Sequence, residues 1–67
     1  MDKITLEAAR VNAGLRIEDV AAKIGRAPAT VSAWENGSEP KINDALKLAE
    51  LYGVDIHFID WKKGDKE

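Results

Sequence analysis

The chain contains no cysteine, which excludes disulfide staples and thiolate metal sites. Histidine is nearly absent too. His57 stands alone, and although Asp55 and Asp60 are its neighbours in sequence, three such residues make no closed catalytic or metal site. No catalytic residue, metal ligand or cofactor is therefore assigned. None of the five glycines belongs to a phosphate-cradling loop. No apolar run approaches the roughly 20 residues of a membrane span, and no basic segment followed by an apolar one marks a signal peptide. A soluble, cytoplasmic protein is the expectation. An excess of one charge is missing as well: 10 basic and 12 acidic groups leave a formal charge of −2. Residues 1–40 and 41–67 each hold 5 basic and 6 acidic groups, so neither half is a basic block.

What remains is a short, apolar-patterned chain. Its 67 residues fit one domain, with a core over about 4–59 and a polar tail over 60–67. A domain this small buries only about 60% of its unfolded surface, so its core must come from well-placed aliphatic side chains. Leu6, Ala9, Arg10 and Ala13 share one helical face. Thr5 is placed to cap that helix and Gly14 to end it. Val20, Ala21 and Ile24 form a second stripe, stopped by Gly25, with Glu18 and Asp19 in the first turn where the helix dipole favours carboxylates. A third segment opens at Pro28, which suits a first helical turn, and closes at Asn36-Gly37 before Pro40. A fourth spans about Asn43 to Tyr52, with Ala45, Leu48, Ala49 and Tyr52 on one side. Asp55 can cap a fifth short helix through Ile59, and the tail from Asp60 onward should fray. No strand alternation appears. The expected fold is all-α, a compact bundle of five short helices.

The third segment raises the functional question. At about 100° per residue, Ala27, Val31 and Trp34 fall on one side, and Pro28, Ala29, Ser32, Ala33 and Asn36 on the other. The first set should pack inward and the second stay open, with Glu35 at the boundary. A short link, "IGRA", joins the second helix to the third. That is helix-turn-helix spacing, in which the second helix enters the DNA major groove. A plain αα-hairpin has the same spacing.

The stretch "GLRIEDVAAKIGRAPATVSAWENG" resembles the phage-repressor (Cro/repressor-type) helix-turn-helix family, through Gly14, Leu15, Glu18, Ala21, Gly25, Thr30, Ser32, Trp34, Glu35, Asn36 and Gly37. The likeness continues through "PKINDALKLAELYGVDIHFI" and covers about residues 4–59. It implies a repressor-like DNA-binding domain, usually dimeric on DNA, that regulates transcription. It also implies a structural pair, Arg10 with Glu35. Helical spacing puts Arg10 on an inner face and Glu35 at the edge of one, so a fork there would join the first and third helices; two solvated side chains are the alternative.

Departures from the family pattern cluster where DNA would lie. Ser-Gln often opens the family's second helix, but this chain has Arg16-Ile17. Arg16 is a poor N-cap that can still reach a phosphate, while Ile17, expected to face outward, cannot hydrogen-bond. Ala27-Pro28-Ala29 stands where polar residues are common. Ala29 and Ala33 can contact a thymine methyl. Between Arg16 and Pro40, three basic residues (Arg16, Lys23, Arg26) face four acidic ones (Glu18, Asp19, Glu35, Glu39), so phosphate neutralisation is limited.

Two readings follow. In the first, a small regulator binds a double-stranded DNA operator as a homodimer. Arg16, Lys23, Arg26 and the amides of Asn36, Gly37 and Ser38 hold phosphates. Pro28, Ala29, Thr30, Ser32 and Ala33 face the bases, and Ala27 belongs to the same DNA- or partner-binding stretch. In the second, the protein is an antirepressor or modulator that binds a partner repressor through an apolar patch of Ile17, Pro28, Ala29 and Ala33. Trp61 either docks on the domain or supports a dimer contact.

Overall fold

Thr5 sets the entry into the first helix. Its backbone is extended and its hydroxyl accepts from the Ala8 N–H at 3.0 Å, which satisfies one of the orphan donors at a helix start. From there the computed structural model, which describes residues 3–61, runs β1 (Ile4–Thr5), α1 (Leu6–Asn12), α2 (Ile17–Ile24), α3 (Pro28–Glu35), α4 (Ile42–Tyr52), a 3-10 turn (Ile56–Phe58) and β2 (Ile59–Asp60).

Among the described residues four α-helices form rather than five. Asp55 does cap the next segment, accepting from the His57 N–H at 2.8 Å, but only three residues coil before the chain extends at Ile59. The reason lies in β2. It pairs in parallel with β1, with Ile4 opposite Ile59 and Thr5 opposite Asp60. Ile59 is thereby 1% exposed, a depth that a continued surface helix would not give it. Two-residue strands are too short to show alternation in a sequence, which is why the bridge was not expected. Asp60 is held in this bridge and Trp61 Nε1 donates to the Ile56 carbonyl at 3.1 Å. The expected fraying therefore fails at these two positions, and 62–67 lie outside the described residues. Trp61 packs half-buried against the core.

That core draws on every helix: Leu6 and Ala9 from α1, Val20 and Ala21 from α2, Val31 and Trp34 from α3, Leu48, Ala49 and Tyr52 from α4, closed by Ile59. Fully burying one such aliphatic side chain is worth about 1.5–3 kcal/mol. Ala13 is not part of it. Helix α1 ends one residue earlier, and Ala13 is an exposed C-cap whose N–H turns back to the Ala9 and Arg10 carbonyls. Among the described residues no helix is long and apolar enough to cross a membrane.

Candidate nucleic-acid interface

The α2–turn–α3 unit is built around one left-handed residue. Gly25 sits at φ 74°, ψ 38°, a region that costs an L side chain about 1–2 kcal/mol. There its N–H and that of Arg26 both reach the Ala21 carbonyl. These bonds close α2 and swing the chain straight into α3, which starts with Pro28 two residues after Arg26. Helices α2 and α3 pack against each other more extensively than any other pair of elements.

At the start of α2, Arg16 occupies the N-cap position with an extended backbone and no side-chain cap. A guanidinium only donates, so it cannot cap. Asp19 compensates by accepting from the Arg16 backbone N–H at 3.0 Å. The Arg16 side chain is left 77% exposed, with Glu18 and Asp19 oxygens 3.8 Å away. Lys23 is exposed one helix-length on. Ile17 does not face outward. It lies half-buried against the core, because it precedes Val20, Ala21 and Ile24 by three, four and seven positions and so shares their inward stripe. The apolar patch expected to include it is therefore smaller.

In α3 the wheel separates as the spacing requires, except that Ser32, expected on the open side, is half-buried. Val31, Trp34 and Glu35 are buried, Pro28, Ala29 and Ala33 are exposed, and Thr30 and Ser32 are half-buried. Ala27 is the exception to the inward set. As the extended N-cap residue it precedes the helical wheel, and it is exposed.

The far end of α3 is occupied with its own termination. The N–H of Asn36 donates to the Ser32 and Ala33 carbonyls, that of Gly37 to Trp34 and that of Ser38 to Ala33. The Asn36 side-chain Nδ2 donates to the Ser32 carbonyl at 3.0 Å. All three backbone amides that were candidates to hold a phosphate thus point back into the helix. A C-terminus must satisfy its last carbonyls, and its negative dipole end disfavours an anion.

Two ion pairs fix the unit to the rest of the bundle. Arg10 Nε donates to Glu35 Oε2 at 2.6 Å and Nη2 to Oε1 at 3.3 Å, while Nη1 reaches the Leu15 carbonyl at 3.0 Å. With side chains only 12% and 7% exposed, this fork joins α1, α3 and the turn before α2. The hydrogen bond it donates to Glu35 raises the Arg10 pKa against the opposing effect of burial. The second pair was not legible in advance. Arg26 forks onto Asp44 of α4 through Nε at 3.3 Å and Nη2 at 3.2 and 3.3 Å. Asp44 is buried and Arg26 about half exposed. Asp44 precedes Leu48 and Tyr52 by one and two helical turns, so it lies on the buried face of α4. A carboxylate there signals a cationic partner, and Arg26 is that partner. One of the three expected phosphate contacts is thus already engaged.

Among the described residues no group of three or more His, Cys, Asp or Glu side chains could hold a metal ion. A family model described as helix-turn-helix matches residues 6–59, and it is the model of the Cro/repressor type. No curated protein and no solved structure matches the chain significantly.

Proposed function

Because this chain belongs to the Cro/repressor-type helix-turn-helix family, a family of DNA-binding transcription regulators, we propose that it acts at an operator, with α3 in the major groove and a second copy on the adjacent half-site. The observation that carries this reading is the split of α3: its Val31–Trp34–Glu35 side is locked into the bundle while Pro28, Ala29 and Ala33 stand clear. A helix held so firmly by one side presents the other without reorganisation. Half-sites would lie about 34 Å apart, one helical turn of DNA.

Phosphate anchoring is thin. With Arg26 on Asp44 and the 36–38 amides turned inward, Arg16 and Lys23 are the cations left to the α2 face. Two contacts per subunit give a dimer a slope of log K against log salt of about −4. This supports dimeric over monomeric binding, since one subunit would hold DNA weakly. The assay is binding of the full chain to duplex DNA across a salt series. A specific complex with that shallow slope supports the reading; no specific complex even at low salt rejects it.

The modulator reading, in which a partner repressor sits on the α2/α3 face, keeps one observation in its favour: Pro28, Ala29 and Ala33 are exposed and apolar, and an apolar face suits a protein contact.

A further inference from the structure

The operator-binding proposal leaves open what α3 recognises, and the structure narrows it. Discrimination in the major groove usually rests on long side chains that form paired hydrogen bonds: Arg or Lys to guanine, Asn or Gln to adenine, Glu or Asp to cytosine. From Arg26 to Asn36 the sequence reads RAPATVSAWEN, so only Arg26, Glu35 and Asn36 are of that kind. Each is engaged within the fold. Arg26 forks onto the buried Asp44, Glu35 is buried under Arg10, and the Asn36 amide donates to the Ser32 carbonyl. Thr30 and Ser32 are half-buried, and a hydroxyl accepts or donates to any base edge. The exposed remainder is the methyl of Ala27 ahead of the helix, the pyrrolidine of Pro28 and the methyls of Ala29 and Ala33.

We infer that this chain reads its operator through thymine 5-methyl groups, packed against Pro28, Ala29 and Ala33, and not through a hydrogen-bond code. The inference rests on the operator reading above. The small side chains let the helix seat deeply, and an apolar surface gains by covering the one apolar group the major groove displays. A G·C pair, which offers no methyl to offset the desolvation of its polar edge, is disfavoured.

The deciding comparison is made on the DNA, so folding of a variant does not enter it. A duplex site is selected from a random library with the full chain, then resynthesised with uracil for thymine at the positions α3 covers. Uracil keeps the base pair and removes only the methyl. Affinity should fall about four-fold per methyl, the equivalent of about 0.8 kcal/mol for one buried methyl-sized group. A hypoxanthine·5-methylcytosine pair restores the methyl but exchanges the hydrogen-bonding edge, and should bind several times better than hypoxanthine·cytosine. In Ala29→Ser with Ala33→Ser, the thymine-to-uracil ratio should shrink to the part that Pro28 carries, and an unchanged ratio overturns the methyl inference. Equal binding of the thymine and uracil sites overturns the methyl inference and leaves the operator reading standing. So does a 5-methylcytosine pair no better than its unmethylated form. Failure to select any duplex overturns both.

Discussion

Arg10 and Glu35 offer the sharpest test of how this fold is held. Both side chains are nearly dry, 12% and 7% exposed, and share a fork at 2.6 and 3.3 Å. Arg10 also satisfies the Leu15 carbonyl. Replacing Glu35 with Leu strands a buried guanidinium. Replacing Arg10 with Met strands a buried carboxylate and frees that carbonyl. Breaking a buried pair from one side costs about 3–5 kcal/mol. Native stability runs at about 0.05–0.15 kcal/mol per residue, or roughly 3–10 kcal/mol for a chain this size. Each single variant should therefore lose most of its stability, and Arg10→Met should lose slightly more. The double variant Arg10→Met/Glu35→Leu leaves no stranded charge and should recover at least half of the loss. Urea unfolding followed by circular dichroism and tryptophan fluorescence gives the four free energies of the cycle. Single variants within about 1 kcal/mol of the parent, with a coupling under about 0.5 kcal/mol, would falsify the claim that this pair sets the placement of α3.

The second ion pair should respond asymmetrically: Arg26→Ala leaves Asp44 buried and uncompensated, whereas Asp44→Asn leaves a guanidinium that reaches water, so the first should cost about 1–3 kcal/mol more in the same unfolding assay. Tyr52 is the chain's single tyrosine; burial, reinforced by Glu35 and opposed by Arg10, pushes its phenol up to about 12. Because the raised value belongs to the folded state, this contribution to stability is whole below an unfolded value of about 10 and disappears as the pH climbs through about 12. Phenolate absorbance should show the high titration directly, and Tyr52→Phe should remove the alkaline loss. Since the Tyr52 hydroxyl is buried with no hydrogen-bond partner among the described residues, Tyr52→Phe should also be at least as stable as the parent at neutral pH, and a loss above about 1 kcal/mol would contradict that geometry. At Gly25 an added Cβ meets no atom within 4 Å, so Gly25→Ala should cost only the left-handed strain, about 1–2 kcal/mol, with the thermal midpoint falling accordingly.

The helices were legible wherever an apolar stripe met a stop signal. Leu48, Ala49 and Tyr52 before Gly53, and Val20 and Ala21 before Gly25, follow the spacing and are buried. The open side of α3 was legible for the same reason: a wheel of eight residues with one large apolar side has little choice of what to bury. Features made by long-range closure were not legible. The Ile4–Ile59 bridge depends on two residues from each end, too few to leave a pattern. Arg26 read as a free cation because its partner lies 18 positions away, although Asp44 on the Leu48–Tyr52 face was a usable sign. Ile17 read as outward from its place in the family pattern, where Gln is common, although its spacing to Val20, Ala21 and Ile24 already set it on their stripe. The 36–38 amides read as donors to a ligand because their spacing says nothing about which carbonyls behind them need partners.

The β1–β2 bridge has a mechanical corollary. Its strands run in the same direction, so the chain enters the ribbon at one extremity and departs at the other. Tension applied through Lys3 and Trp61 therefore drags the strands lengthwise past each other and loads both pairings at once. An antiparallel closure in that place would peel apart one rung at a time. Under load the α-helical bundle should consequently yield in a single abrupt event that begins when this small latch slips, with α1 and the 3-10 turn released together.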